Sequence, residues 1–244
     1  MAFLLISCNE SQRGTGTKTG NGKLKGASVN TVYSRNSTTQ RTTPCPAGES
    51  LIYGDETFDS YTEDTMRGTG IISFLLMPND RLTILNEDDS NFGEIVLNED
   101  RSYFTLTMPK KVVARRLITT PDFETFEFDA ENVNASKDYL FIYVNKEKKK
   151  VKKSGLNFTF YSWENYIKEQ SIELKDCNLL TDAKGKANPK SKGLAFKITD
   201  LKGDEIKIKS TKDCLGEDGD YQDLKGKLKW KSGNVLLIDI ALCN

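Results

Sequence analysis

Short runs of bulky, β-branched and aromatic residues recur every 10–20 residues from about position 70 onward, each stopped by a turn signal. That rhythm predicts many short strands and few helices, the pattern of a sandwich or barrel. Ile71-Ile72-Ser73-Phe74-Leu75-Leu76-Met77 is an apolar run of strand length, ended by Pro78-Asn79-Asp80. Arg81–Leu85 follows, then the turn-rich Glu87-Asp88-Asp89-Ser90-Asn91. Tyr103–Met108 and Phe123–Phe128 read as strands, with Phe126 and Phe128 on one face. Tyr139–Val144 is bulky at every position, which predicts a strand buried on both sides. The lysine-rich stretch Lys146–Lys153 reads as a turn, leading to a strand at Leu156–Phe160.

Ser162–Glu169 is the best helix. Ser162 is a good cap, and Trp163, Tyr166 and Ile167 fall at helical spacing. At about two turns it reads as a connector, so a domain boundary is placed at Glu169–Ser171. The first folded region is then a β-sandwich-like domain over residues 49–170. Beyond the boundary come Ile172–Leu174, a Gly/Lys/Asn/Pro loop, Leu194–Thr199, an alternating Glu205–Lys209, an acidic loop at Gly216–Asp220, Leu228–Lys231, and Val235–Ala241. Alternation places Ile206 and Ile208 on one face, and Ile238 and Ile240 likewise on another; all four are expected to be core. The closing stretch Gly226-Lys227-Leu228-Lys229-Trp230-Lys231-Ser232-Gly233-Asn234-Val235-Leu236-Leu237-Ile238 resembles the end of the bacterial SH3-like barrels found in envelope proteins of Bacteroidota. The resemblance covers residues 171–244 and implies a small barrel there. The expected fold class is therefore all-β, a sandwich-like domain followed by an SH3-like barrel.

Upstream, residues 9–48 are rich in Gly, Ser, Thr and Asn and poor in apolar residues. They cannot bury enough apolar surface to offset the entropy of ordering, and are expected to form a disordered tether with a reach of roughly 35 Å. Arg13, Lys18, Lys23, Lys25, Arg35 and Arg41 fall in this segment, with no acid between Ser11 and Thr43. Ahead of it, Leu5-Ile6-Ser7-Cys8 resembles the lipobox of bacterial lipoproteins: an aliphatic residue, a tolerated one, a small one, then the lipidated cysteine. With seven residues and no Lys or Arg before Cys8, residues 1–8 read as a truncated lipoprotein signal. The resemblance implies lipidation at Cys8, a membrane partner held through acyl chains, and a place in the bacterial cell envelope at the outer membrane.

Basic and acidic residues balance at 35 each. The basic tether leaves the remainder net acidic, which argues against nucleic acid as a partner. No apolar stretch is long enough to span a membrane as a helix. Setting Cys8 aside leaves Cys45, Cys177, Cys214 and Cys243, an even number for an oxidising compartment and open to three full pairings.

Histidine is absent from the sequence. That removes the usual serine–histidine and cysteine–histidine centres and every histidine metal site. The cysteines lack CxxC spacing, and neither a P-loop nor a dinucleotide-binding glycine motif occurs. No metal or cofactor is expected. Glu87, Asp88 and Asp89, and Glu217, Asp218 and Asp220, form two acidic clusters that read as solvated turns. Trp230 and nearby Tyr221 are the candidate binding residues, since an aromatic on a late barrel strand can stack on sugar or peptide. The competing reading makes Trp230 core, because it alternates with lysines. The chain is thus read as a non-catalytic, membrane-anchored module that binds a peptide, glycan or envelope-protein partner. A periplasmic inhibitor or immunity lipoprotein is the alternative, and a carboxylate-based hydrolase a third.

Overall fold

Hairpins build the first half of the fold, as the turn signals dictate. The computed structural model describes Cys45 and residues 59–60, 63–100, 104–108, 113–120, 123–182, 184–212 and 221–241. Cys8, Cys214, Cys243, the acidic loop at 216–220 and all of the expected 9–48 tether but Cys45 lie outside the described residues; Cys45 itself is tied to the folded body rather than free in a tether. The fold is all-β, as expected, with antiparallel pairing throughout its large sheets.

In chain order the strands are β1 (Asp59–Ser60), β2 (Gly70–Leu75), β3 (Arg81–Leu85), β4 (Asn91–Leu97), β5 (Phe104–Thr107), β6 (Val113–Ala114), β7 (Arg116–Thr120), β8 (Phe123–Ala130), β9 (Tyr139–Val144), β10 (Glu147–Lys152) and β11 (Asn157–Ser162). Nine of them form one sheet in the order β11-β2-β8-β9-β10-β3-β4-β5, with β7 also on β8. Its core face follows a period of two. Ile72 and Phe74, Leu82 and Ile84, Ile95 and Leu97, Phe126 and Phe128, and Leu140, Ile142 and Val144 make one fully buried cluster. The Phe74 and Phe128 rings meet edge to face at 6.2 Å, the arrangement that ring quadrupoles favour.

A short helix, α1 (Trp163–Glu169), then leads to β12 (Ser171–Leu174), β13 (Ala195–Lys202), β14 (Glu205–Ser210), β15 (Lys225–Lys229), β16 (Lys231–Ser232), β17 (Val235–Leu236) and β18 (Ile238–Ala241). The Ser162 hydroxyl caps α1 by accepting from the Asn165 N–H at 3.3 Å. The second sheet runs β15-β14-β13-β12-β18, so the last strand returns beside the first. A bulge between Ile198 and Asp200 shifts the β13–β14 register. Ile206, Ile208 and Ile238 are buried as alternation predicts, and Ile240 is half-buried against the same cluster.

The two cores share a strand. In β2, Ile72 and Phe74 face the first core, whereas Ile71 faces the second. Met66, Ile71 and the α1 residues Trp163, Tyr166 and Ile167 pack with Ile172, Phe196, Ile206, Trp230 and Ile238. Backbone bonds reinforce this: Met66 N donates to Asn234 O at 2.7 Å, and Leu236 N to Asp64 O at 2.8 Å. The texture change at Glu169–Ser171 therefore marks where the chain changes sheets, and α1 fills the second core as well as connecting the two. Gly68 adopts a left-handed φ of 61°, and a Cβ there would strike the Ala130 carbonyl, so a side chain would be strained twice over.

Two strand readings change. Glu147–Lys152, read as part of a turn, is an internal strand between β9 and β3. Asn145 and Lys146 alone make the turn, both at positive φ, as the tightest hairpins require. The run hid its strand because lysine is a poor strand former. Lys149 and Lys150 are in fact buried, their stems along the sheet and their ammoniums bonded to Asn86, Glu87 and Asp89. Tyr139–Val144 is buried on one face and half-buried on the other, because those lysines cover the aromatic side: Lys148 lies over Phe141 at 4.8 Å and Lys150 over Tyr139 at 5.1 Å.

Cys45 and Cys177 form a disulfide across 132 residues, with Cα atoms 5.2 Å apart. Closing so long a loop restricts the unfolded chain strongly. Replacing both cysteines by alanine should lower stability by about 2–4 kcal/mol, read as a shift in urea midpoint. A midpoint unchanged by the double substitution would mean that the crosslink does not limit the unfolded state.

Candidate functional site

The densest chemistry lies on the second face of β8. In the sequence Phe126-Glu127-Phe128-Asp129, the phenylalanines take the core and the carboxylates point the other way, yet Glu127 and Asp129 are also buried. The reason is α1 and the segments around it, which cover that face. The Tyr166 hydroxyl donates to Glu127 Oε2 at 2.6 Å. Arg115 Nε donates to Asp129 Oδ1 at 2.8 Å and its Nη2 to Oδ2 at 2.7 Å. Both side chains are 3% exposed. This is the bidentate fork that guanidinium and carboxylate geometry favours.

The remaining donors are also used. Arg115 Nη1 donates to Glu63 O at 2.6 Å and Nη2 to Thr65 O at 3.0 Å. The Arg67 N–H adds a third bond to Asp129 at 3.0 Å. The guanidinium lies 5.1 Å from the Trp163 ring centroid, and the indole N–H of Trp163 donates to Arg67 O. Lys175 pairs with Asp64 and, at 3.4 Å, with Asp239. Asp129 thus has its oxygens committed to three donors. The arrangement fastens residues 63–67, β8 and α1 together and leaves Asp129 poorly placed to act as an open base.

At the rim, the Tyr143 hydroxyl donates to Glu131 Oε1 at 2.6 Å. Desolvation, then that bond to a carboxylate, pushes the phenol up to about 12. A raised phenol pKa favours the neutral form in the folded state. Its contribution to stability is complete below an unfolded value near 10 and is lost as pH rises through about 12. In an alkaline absorbance titration, Tyr143→Phe should remove one step that ionises near pH 12. Loss of a step near pH 10 instead would show that Tyr143 is not perturbed.

The residues singled out from sequence fare differently. Trp230 is 0% exposed and sits in the second core. Its indole N–H donates to Gly203 O at 2.9 Å and Lys231 covers the ring at 4.7 Å. No face of the ring is left for a ligand, so the structure corrects its assignment as a binding residue: Trp230 is core. Tyr221 is half-buried. Its hydroxyl is 3.4 Å from Ser210 O, and Lys212 lies 5.1 Å over its ring. The two aromatics therefore play separate parts.

Glu87, Asp88 and Asp89 build the β3–β4 turn. Asp88 accepts from both the amide and the hydroxyl of Ser90, which hold its carboxyl below the usual range. Asp89, at φ 71°, accepts from Lys150 at 2.7 Å, and the Glu87 carbonyl takes the same ammonium at 2.8 Å. Among the described residues no group of three acids and cysteines is arranged to hold a metal ion.

Sequence reasoning missed Arg115, Asp129 and Glu127. The one signal available was two carboxylates alternating with two phenylalanines, which reads as an ordinary solvated strand face until α1 is laid over it. Compared with known proteins, the chain matches no family model, no curated protein and no solved structure.

Proposed function

We propose that the protein is a non-catalytic lipoprotein of the bacterial cell envelope, anchored through Cys8, whose β-rich body acts as a binding or scaffolding module. The observation that carries this reading is the lipobox-like Leu5-Ile6-Ser7-Cys8 followed by a long polar, basic segment. The Cys45–Cys177 disulfide supports it, because such crosslinks persist in oxidising compartments. The strand order β15-β14-β13-β12-β18 and the bulge in β13 support a small SH3-like barrel for residues 171–244, since a bulge bends a strand and a returning last strand helps a sheet curl. With Trp230 in the core, the binding surface belongs to exposed faces of the sheets.

The test is membrane partition. Expressed with its native leader, the protein should enter the detergent phase, and Cys8→Ser should move it to the aqueous phase. Stable anchoring takes two acyl signals, which a lipidated N-terminal cysteine supplies. Pulldown from native membranes then reads the partner. An envelope or cell-wall component supports the module reading, whereas a stoichiometric complex with one enzyme moves it to an inhibitor.

A further inference from the structure

The outward face of β13, β14 and β15 carries a grid of lysines. The register gives three rows across these strands: Lys197–Lys209–Lys225, then Asp200–Lys207–Lys227, then Lys202–Glu205–Lys229. Seven of the nine positions are lysine. Eight of the nine are exposed, and Lys197 is half-buried. From strand geometry the grid covers roughly 10 Å by 13 Å. The alternate residues Ile206 and Ile208 are buried in the core and Leu228 is packed against it, which holds the lysines to one side.

This arrangement opposes its own stability. Like charges directly across a sheet are destabilising, yet Lys209 faces a lysine on both neighbouring strands and Lys207 faces Lys227. The grid's two acids are each paired, Asp200 with Lys207 at 2.7 Å and Glu205 with Lys227 at 2.5 Å, and Lys209 lies 3.8 Å from Asp223 just beyond the grid. A face that only needed solubility would intersperse both signs. Here lysines dominate; at the other end of the same sheet Glu173 on β12 lies opposite Asp239 on β18, which Lys175 approaches at 3.4 Å.

We infer that this lysine grid is an electrostatic docking face for an anionic lipid bilayer, laid against phosphate headgroups. Several features select a membrane over a soluble polyanion. The face is a sheet surface with lysines as mobile point charges, suited to laterally mobile headgroups. None of the nine positions is aromatic or arginine, the residues that stack on bases or read them bidentately. The choice of a bilayer also rests on the lipid anchor proposed at Cys8, which would hold the face near one.

The test uses the full chain carrying Cys8→Ser, so that no acyl chain contributes, in sedimentation with phosphatidylglycerol–phosphatidylcholine vesicles. Binding should require phosphatidylglycerol and weaken with salt. Each lysine near an anionic surface multiplies the partition by roughly fivefold. Lys209→Gln, Lys225→Gln and Lys227→Gln together should therefore lower it roughly 100-fold, with an unchanged melting temperature confirming the fold. The same change at Lys184, Lys186 and Lys190, exposed on a loop elsewhere, should leave binding close to the parent.

Binding to pure phosphatidylcholine, or binding unaffected by the grid substitutions, would overturn the inference. So would loss of binding only when the basic residues of the 11–43 segment are neutralised. Retention of duplex DNA but not of vesicles would reassign the face to nucleic acid. If wild-type Cys8 carries no lipid but the grid-dependent vesicle binding persists, the anchor falls and the docking face stands.

Discussion

Asp129→Ala should destabilise the protein by about 3–5 kcal/mol, because it leaves the Arg115 guanidinium buried without its carboxylate. The loss is a large share of the total stability of an ordinary domain. It should appear as a lower urea midpoint at constant slope. Arg115→Met combined with Asp129→Leu separates charge from architecture. Replacing a buried pair by apolar residues of similar volume is often neutral, so the double variant should recover much of the loss. It should not recover all of it, since Arg115 also donates to the Glu63 and Thr65 carbonyls. A single-variant cost below about 1 kcal/mol, the range of an exposed pair, would show that the network does not fasten the fold.

Trp230→Ala should cost about 3–5 kcal/mol, the range for emptying a fully buried aromatic site. The ring packs in the cluster of Ile206, Ile208, Leu236 and Ile238, and its N–H holds the Gly203 carbonyl. Trp230→Phe divides the two contributions. It keeps most of the apolar contact but gives up the hydrogen bond to the Gly203 carbonyl in an exposed turn, a net loss of about 0.5–1.5 kcal/mol. Thermal unfolding of the two variants checks the order. A stable, well-folded Trp230→Ala protein would mean that the indole is not a core element.

Much of the fold was legible because one-face periodicity is a local property. Ile206 and Ile208, Phe126 and Phe128, and the capped helix at Ser162 could be placed by spacing alone. What failed was whatever depends on the second face. Glu127 and Asp129 look solvated until Tyr166 and Trp163 lie over them. The lysines of β10 look like a loop until their ammoniums are seen to reach Asn86, Glu87 and Asp89. Alternation with lysines already pointed Trp230 toward the core, and packing decides for that reading over the groove. The cysteine pairing was open for a similar reason: Cys45 meets Cys177 across 132 residues, a separation that local pattern cannot bridge. The lysine grid was half visible. Strand alternation gave the rows along β14 and β15, but only the register set lysine against lysine.

The lipid anchor is the claim on which the placement of the protein depends, and the mass of its mature N-terminal peptide tests it most directly. Purified from membranes after expression with its native leader, the polypeptide should begin at Cys8 and carry a diacylglyceryl and acyl mass increment on that residue. A mature chain that retains the residues before Cys8, or that carries Cys8 as an unmodified thiol, would contradict the account.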